Sequence, residues 1–255
     1  NYPYPYVINK LCWEFPCMVP SDWEAQHIQK PNNPKTVDDM KRALDITVHK
    51  QGVFPLVFHP HGWIKNTQVI ELIDHAIAKH GKKVKFLTFA EAHQLLVENL
   101  LHGNPLRDSK GADNGVRVVD VNNDGYLDVL IGNKKEQRTR IWKRFPTGWI
   151  DTGFPVSLVE TPNASPSVQI IRTPDSGNLE VVDLRGLTDP RRGDLKPRGY
   201  RFDSEDWGAD RVLQLLFDKH VKQTSPAGRL LAVKFVQVSR HGSSLALITR
   251  ESPQD

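Results

Sequence analysis

The sequence contains no run of 18 or more apolar residues, so it predicts no membrane span. Cysteine is also scarce. Cys12 and Cys17 are the only two, which is too few for a disulfide scaffold or a four-thiolate zinc site. The pair could form one local bridge or remain as two buried thiols, and we favour the thiols.

An excess of charge of one sign is missing as well. The 34 basic and 30 acidic residues leave a net charge of +4, and the basic residues are spread over both halves without forming a stripe. This pattern predicts no nucleic-acid partner. With 38% hydrophobic and 25% charged residues the chain is typical of a globular protein, and 255 residues suffice for one large domain or two ordinary ones. The chain starts at Asn1 without a signal sequence, so we expect a fragment or processed piece.

The most informative segment that is present covers residues 120–128. Its oxygen-bearing side chains occupy alternate positions of a tight loop, and Gly125 relieves the bend. Calcium takes six to eight oxygen ligands, and such a loop can turn them inward. The sequence therefore predicts a calcium site whose ligands are Asp120, Asn122, Asp124, Tyr126 and Asp128.

The residues around this loop predict two β-strands rather than the helices of an EF-hand. Val116 and Val118 alternate before it, an apolar run follows it, and Ile131 stands where an EF-hand has glutamate. The arrangement resembles the FG-GAP or VCBS repeat, which implies a propeller-like β region that carries calcium in this loop. The alternative is an Asx-rich hairpin turn that binds no ion.

A second copy of the pattern is expected if the segment is a repeat. Residues 233–245 keep the apolar alternation and the central glycine, Gly242. The ligands are not kept, because Gln237, Ser239, His241 and Leu245 replace the oxygen-bearing residues. We therefore predict one calcium site and a degenerate second copy that keeps only its strands; a chance similarity of two hairpins is the alternative.

Histidine usage divides the chain, since eight of the ten histidines lie at or before His102. We place the first domain at residues 1–103, a turn-rich linker at 104–111 and the β repeats at 112–255. In the first domain, helical spacing predicts helices at about 36–51, 68–80 and 88–101, with Thr36 and Thr88 as caps. Short apolar runs predict strands at 53–58 and 84–87. This order predicts an α/β fold with a parallel sheet or barrel.

His59 follows the first of these predicted strands. Catalytic residues of β/α folds stand at the carboxyl ends of strands, and an imidazole titrates near neutral pH, so His59 is a candidate general acid. A hydrogen-bonded structural histidine is an equally open interpretation. Metal binding by His59 and His61 is a further one, although no third ligand stands at suitable spacing.

Residues 55–62 and 84–88, with the helix between them, are similar to the end of a polysaccharide deacetylase (NodB-like) domain. The resemblance covers about residues 1–101. It implies a partial β/α deacetylase barrel that hydrolyses N- or O-acetyl groups of chitin, peptidoglycan or xylan, with His59 protonating the leaving group. Residues 16–24 resemble the family's Asp and Trp motif, which implies that Asp22 tunes the histidine and that Trp23 walls the groove. Both could instead be a helix cap and a loop aromatic.

The family also uses paired aspartates and a histidine couple to hold zinc or another divalent metal, and neither motif is present in this sequence. The resemblance therefore implies that this piece is inactive alone and that a longer parent is the enzyme. Trp13, Trp23 and Trp63 are candidates to stack on sugar rings. Calcium use and a polysaccharide partner imply an extracellular or periplasmic location. The competing hypothesis is a non-catalytic calcium-binding β-propeller module for adhesion or carbohydrate binding.

Overall fold

A computed structural model describes residues 2–159, 168–172, 177, 179–185, 197–220, 230–237 and 245–251. The chain forms two compact units, residues 1–94 and 95–255, so the predicted linker at 104–111 lies within the second unit. The described elements mix helices with antiparallel sheets, and none of the described strand pairs is parallel. An α/β composition is thus confirmed, whereas the barrel and the propeller stay predictions.

The first unit consists of a short hairpin followed by four α-helices. The strands β1 and β2 pair antiparallel, and a 3-10 turn at Gly81–Lys83 follows the third helix. The elements are β1 (Tyr6–Ile8), β2 (Cys12–Glu14), α1 (Asp22–Gln29), α2 (Pro34–His49), α3 (Asn66–His80) and α4 (Phe89–Leu95).

The helices begin and end for local reasons. Ser21 caps α1 in a capping box with Glu24, and the same arrangement at Thr88 and Glu91 precedes α4, as predicted. The predicted cap of α2 at Thr36 is wrong. Asn33 caps that helix instead, because its side chain accepts from the Lys35 N–H and Pro34 supplies a preset first turn.

The predicted strands at 53–58 and 84–87 are wrong as strands, because neither segment belongs to a sheet among the described residues. Residues 53–58 make two scattered backbone hydrogen bonds, from the Val53 N–H to Pro3 and from the Met18 N–H to Pro55. Both segments instead contribute side chains to the core of this unit. That core contains Val37, Met40, Leu44, Leu72 and Ala76, with Val48, Phe54, Leu56, Ile64 and Val84 packed around it.

The two cysteines are free and exposed, so neither the bridge nor the buried thiols are seen. Cys12 lies in β2, where a two-stranded hairpin leaves side chains open to solvent. Burial on one side raises the pKa of the Cys17 thiol, and Glu24 adds to this effect.

The second unit begins with a π-helical turn, Leu96–Leu100, and continues as strands. In its first sheet the neighbouring strands follow the order β3-β4-β5-β6, and in its second they follow the order β7-β8-β9-β10. Both sheets are therefore antiparallel meanders of consecutive strands. Their bounds are β3 (Val116–Val119), β4 (Asp128–Gly132), β5 (Gln137–Lys143), β6 (Gly148–Gly153), β7 (Val168–Arg172), β8 (Leu179–Asp183), β9 (Arg198–Asp203) and β10 (Asp206–Ala209).

The two sheets share one hydrophobic core. Apolar residues from both sheets and from the segment after β6 form it: Val121, Leu130, Ile141, Phe154, Val156, Leu158, Leu179, Val181 and Phe202. Trp207 on β10 closes one side, since its ring packs edge-on against Phe154 and its indole N–H donates to Thr139 on β5 at 2.7 Å. Each sheet thus buries a face only because the next sheet covers it.

A helix and a hairpin follow. The amphipathic spacing of Val212, Leu215 and Leu216 predicts a helix over 206–220. The helix α5 spans Arg211–His220, so that prediction is wrong in its first turn. Residues 206–209 form β10, which pairs with β9, and Asp210 then caps the helix by accepting from Val212 and Leu213. The strands β11 (Leu230–Gln237) and β12 (Leu245–Glu251) pair antiparallel, as expected for the degenerate copy. The intervening positions Ser239 and His241 lie outside the described residues, as do residues 190–196 of the polar loop that the sequence predicts at 190–197.

Candidate functional site

The structure brings Asp22 and His59 into direct contact. The capping box at Ser21 starts α1 so that Asp22 is its first residue, and the carboxylate is fully buried. One carboxylate oxygen, Oδ1, lies 2.7 Å from His59 Nδ1, and Oδ2 accepts the His59 backbone N–H at 2.6 Å. The carboxylate therefore holds both the ring and the backbone of His59 in place.

This contact determines which atom of the imidazole can act. A carboxylate beside Nδ1 keeps a proton on Nδ1, so Nε2 is the ring nitrogen that gains or loses a proton. The His59 side chain is 36% exposed, although its partner is not exposed at all. The arrangement is a solvent-reachable imidazole with a buried orienting carboxylate, a pairing that also occurs in catalytic triads.

An open cavity of about 390 Å³ adjoins the imidazole, and polar and apolar surface contribute to its walls in similar amounts: Phe58, His59, Ile64, Asn66, Val69 and Ile70 line it. The Trp63 ring lies 5.1 Å from the His59 ring, and the His61 ring is stacked on His59 at 6.0 Å. A cavity that combines apolar and polar wall surface with one titratable group can take a small ligand that has both kinds of surface.

Trp23 is next to Asp22 in sequence but is directed elsewhere. Its side chain is 49% exposed, and its ring packs edge-on against His27, one turn along α1, at 4.3 Å. Within the described residues its only ring contact is with His27. Trp23 therefore stays a predicted groove residue, whereas Trp63, also named as a stacking candidate, is the tryptophan in contact with His59.

One cluster of metal-ligand type occurs in the described part of the chain. Asp45, His75 and His80 each offer one ligand atom, and the three atoms lie within 4.8 Å of one another. Neither His59 nor His61 has a comparable third partner among the described residues. The cluster was not predicted, because it joins α2 to the end of α3 and only the spacing of the two histidines is visible in the sequence.

The Asp-rich loop lies between β3 and β4, whose register pairs Val119 with Asp128. Its side-chain oxygens accept backbone N–H groups of the same loop. Asp120 accepts from Asp124 at 3.2 Å and from Gly125 at 3.0 Å, and Asp124 accepts from Tyr126 at 2.9 Å. Gly125 and Asn123 have φ of 87° and 60°, the left-handed region that a tight Asx-rich loop uses.

Asp128 is the buried member of the predicted ligand set, with no exposed surface. Burial raises its pKa to about 6; N–H donors of Trp142 and Val121 oppose the rise, whereas the nearby charges of Asp124 and Asp120 add to it. A cation beside these three carboxylates would offset both the burial and the repulsion.

The donor set fits calcium in chemistry, because all of its predicted side-chain ligands offer oxygen. The carboxylate oxygens of Asp120, Asp124 and Asp128 do not gather within 4.8 Å as a group. In this loop these oxygens accept backbone N–H groups instead, so binding an ion would require the carboxylates to turn from those donors toward it.

Scans against protein-family models, curated proteins and solved structures find no match to this chain. No helix in the described ranges is both long and apolar enough to cross a bilayer.

Proposed function

We propose that the first unit supplies the proton-donating part of a metal-dependent polysaccharide deacetylase, and that the second unit is an appended calcium-binding β-repeat module. The observation that carries this proposal is the contact between the buried Asp22 carboxylate and the exposed imidazole of His59. These two residues lie 37 positions apart in sequence, the family resemblance implies that they act together in acid catalysis, and they are hydrogen-bonded beside a cavity.

In this proposal the imidazole works as an acid. With both ring nitrogens protonated, His59 donates the Nε2 proton to the departing amine or alkoxide as the acetyl group leaves. Asp22 remains ionised and stabilises the imidazolium through Nδ1–H. Phe58, Ile64 and Val69 supply the apolar part of the cavity wall beside the ring, and Trp63 is placed to stack on a sugar ring.

A zinc ion or another divalent metal would polarise the acetyl carbonyl and lower the pKa of a bound water. The strand-end pair of aspartates and the histidine couple expected to hold it are not in this sequence, whose adjacent Asp38 and Asp39 lie on the helix α2. The activity is therefore proposed for a longer protein that contains this chain. A glycan substrate of the chitin, peptidoglycan or xylan type implies an extracellular or periplasmic location.

The test is acetate release from acetylated chito-oligosaccharides, peptidoglycan and xylan with added zinc, measured on that longer protein. His59→Ala should lower kcat by at least about 100-fold, the usual contribution of a general acid. Asp22→Asn should lower kcat and change the pH profile, because it removes the charge that stabilises the imidazolium. His93→Gln, at an exposed histidine of α4, is the control. An unchanged rate for His59→Ala refutes the proposed role.

A second candidate is a non-catalytic module that binds carbohydrate or mediates adhesion through a calcium-binding β-propeller. Two successive four-stranded antiparallel meanders favour it, because propeller blades have this strand order. Glycan binding by this chain, measured in calcium and again in EGTA, distinguishes the candidates. Calcium-dependent binding that Asp124→Ala removes, combined with a longer protein that shows no acetate release, supports the module alone.

A further inference from the structure

Three side chains from two packed helices converge on one point in the first unit. Asp45 is on α2, and His75 and His80 are on α3. His75 Nε2 lies 2.9 Å and His80 Nε2 lies 2.7 Å from the same atom, Asp45 Oδ1. Lys79 Nζ lies 2.8 Å from the other carboxylate oxygen. Asp45, His75 and His80 are partly buried, with 13–24% of each side chain exposed.

The two imidazole nitrogens converge on one carboxylate oxygen, Asp45 Oδ1. Neutral imidazole Nε2 and carboxylate oxygen are the atoms that zinc-class ions bind at 2.0–2.2 Å. Tetrahedral ligands at that bond length stand about 3.3 Å apart. The observed 2.7 and 2.9 Å separations therefore need only a few tenths of an ångström of side-chain movement to admit an ion.

The charge of the cluster is compatible with a cation. The Asp45 carboxylate supplies a negative charge, and among the described residues its second oxygen is held only by Lys79 Nζ. The Lys79 side chain is 54% exposed, so it can turn to solvent without losing a buried position.

We propose that Asp45, His75 and His80 form a binding site for a zinc-class divalent cation that joins α2 to α3. Solvent water would complete the coordination from the exposed side. None of the three lines the cavity beside His59, so this ion is distinct from the catalytic ion of the proposed deacetylase. The two helices supply most of the core of the first unit, and a bound ion would stabilise the folded state by mass action.

The test is calorimetric titration of the metal-free chain with Zn²⁺, in excess calcium to occupy the Asp-rich loop, together with visible absorption of the Co²⁺ form. One ion should bind, and saturation should raise Tm by roughly 5 °C or more. His75→Gln and His80→Gln are matched variants, because glutamine still donates a hydrogen bond to Asp45 but is a poor ligand. Each should weaken binding by at least about 100-fold. His49→Gln, at an exposed histidine of α2, should leave binding unchanged.

Lys79→Gln provides a readout that a purely structural cluster would not give. Removing the competing ammonium should tighten zinc binding by roughly 3- to 10-fold, because a like charge near the ion is removed. Absence of saturable binding by the folded wild-type chain overturns the proposal. So does binding that survives the double change H75Q/H80Q, since the ion would then be held elsewhere.

Discussion

The buried carboxylate of Asp128 should make the stability of the calcium-free second unit fall as the pH rises. Its pKa in the folded chain is about 6, against an ordinary value of 3.8. Between these two values the folded state binds more protons than the unfolded state, so folding loses free energy as the pH increases. Above about pH 6 the loss is complete and the curve levels.

The size of the effect follows from the pKa difference. A rise of about two pH units corresponds to about 3 kcal/mol of unfolding free energy. Asp128 has no exposed surface, so solvent screening removes little of this amount. Bound calcium should reverse the effect, because a divalent cation beside the loop favours the ionised carboxylate.

Urea denaturation in EGTA, followed by tryptophan fluorescence from pH 4 to 7.5, measures this dependence. The side chain of Asp128→Asn cannot ionise. Between pH 4 and 7.5 the unfolding free energy of this variant should therefore fall by about 3 kcal/mol less than that of the wild type. The substitution also removes one of the two hydrogen bonds that Asp128 accepts, from the Trp142 or the Val121 N–H, because an amide nitrogen cannot accept; this loss of about 1–3 kcal/mol is independent of pH.

Asp203→Asn, at an exposed position of β9, is the control and should follow the wild-type curve. Other acidic groups contribute to both proteins alike, so the difference between the two curves isolates Asp128. Parallel curves for wild type and Asp128→Asn would show that the carboxylate is not destabilised by burial, and the argument for a cation at this site would lose its electrostatic basis.

Three further predictions concern this chain. Asp124→Ala should abolish the rise in Tm on adding calcium; an unchanged rise would contradict the loop site. Leu130→Ala, in the fully buried centre of the core, should cost 2–5 kcal/mol in urea denaturation, whereas Leu127→Ala at an exposed position should change stability by less than about 0.5 kcal/mol. Asn33→Ala should lower the unfolding free energy by about 1 kcal/mol, because it removes the α2 cap. An unchanged unfolding free energy would show that the Asn33 side chain does not stabilise this helix.

Local signals in the sequence predict the helices well. Apolar spacing and the stop at Gly81 place α3, and the strands on both sides of the Asp-rich loop follow from alternation and turn residues. The Asp22 to His59 contact was also expected, but from a family resemblance and not from spacing. No local pattern links residues 37 positions apart in sequence.

The errors arise where pairing between segments decides the structure. The apolar runs at 53–58 and 84–87 have strand composition, yet a strand requires a neighbour, and the described residues provide none. Residues 206–209 fit a helical pattern, but pairing with β9 overrides it. The Asp45 cluster was missed for the same reason, because α2 and α3 must pack before its ligands meet.

Asp128 also connects the loop to the third strand of its sheet. One of its oxygens accepts the Val121 N–H at the loop entrance, and the other accepts the Trp142 N–H on β5. An ion that draws this carboxylate toward the loop would change the distance between the carboxylate and the Trp142 N–H. The amide proton of Trp142 thus serves as an intrinsic reporter of occupancy, and its exchange rate and chemical shift should change with calcium although Trp142 is not itself a ligand.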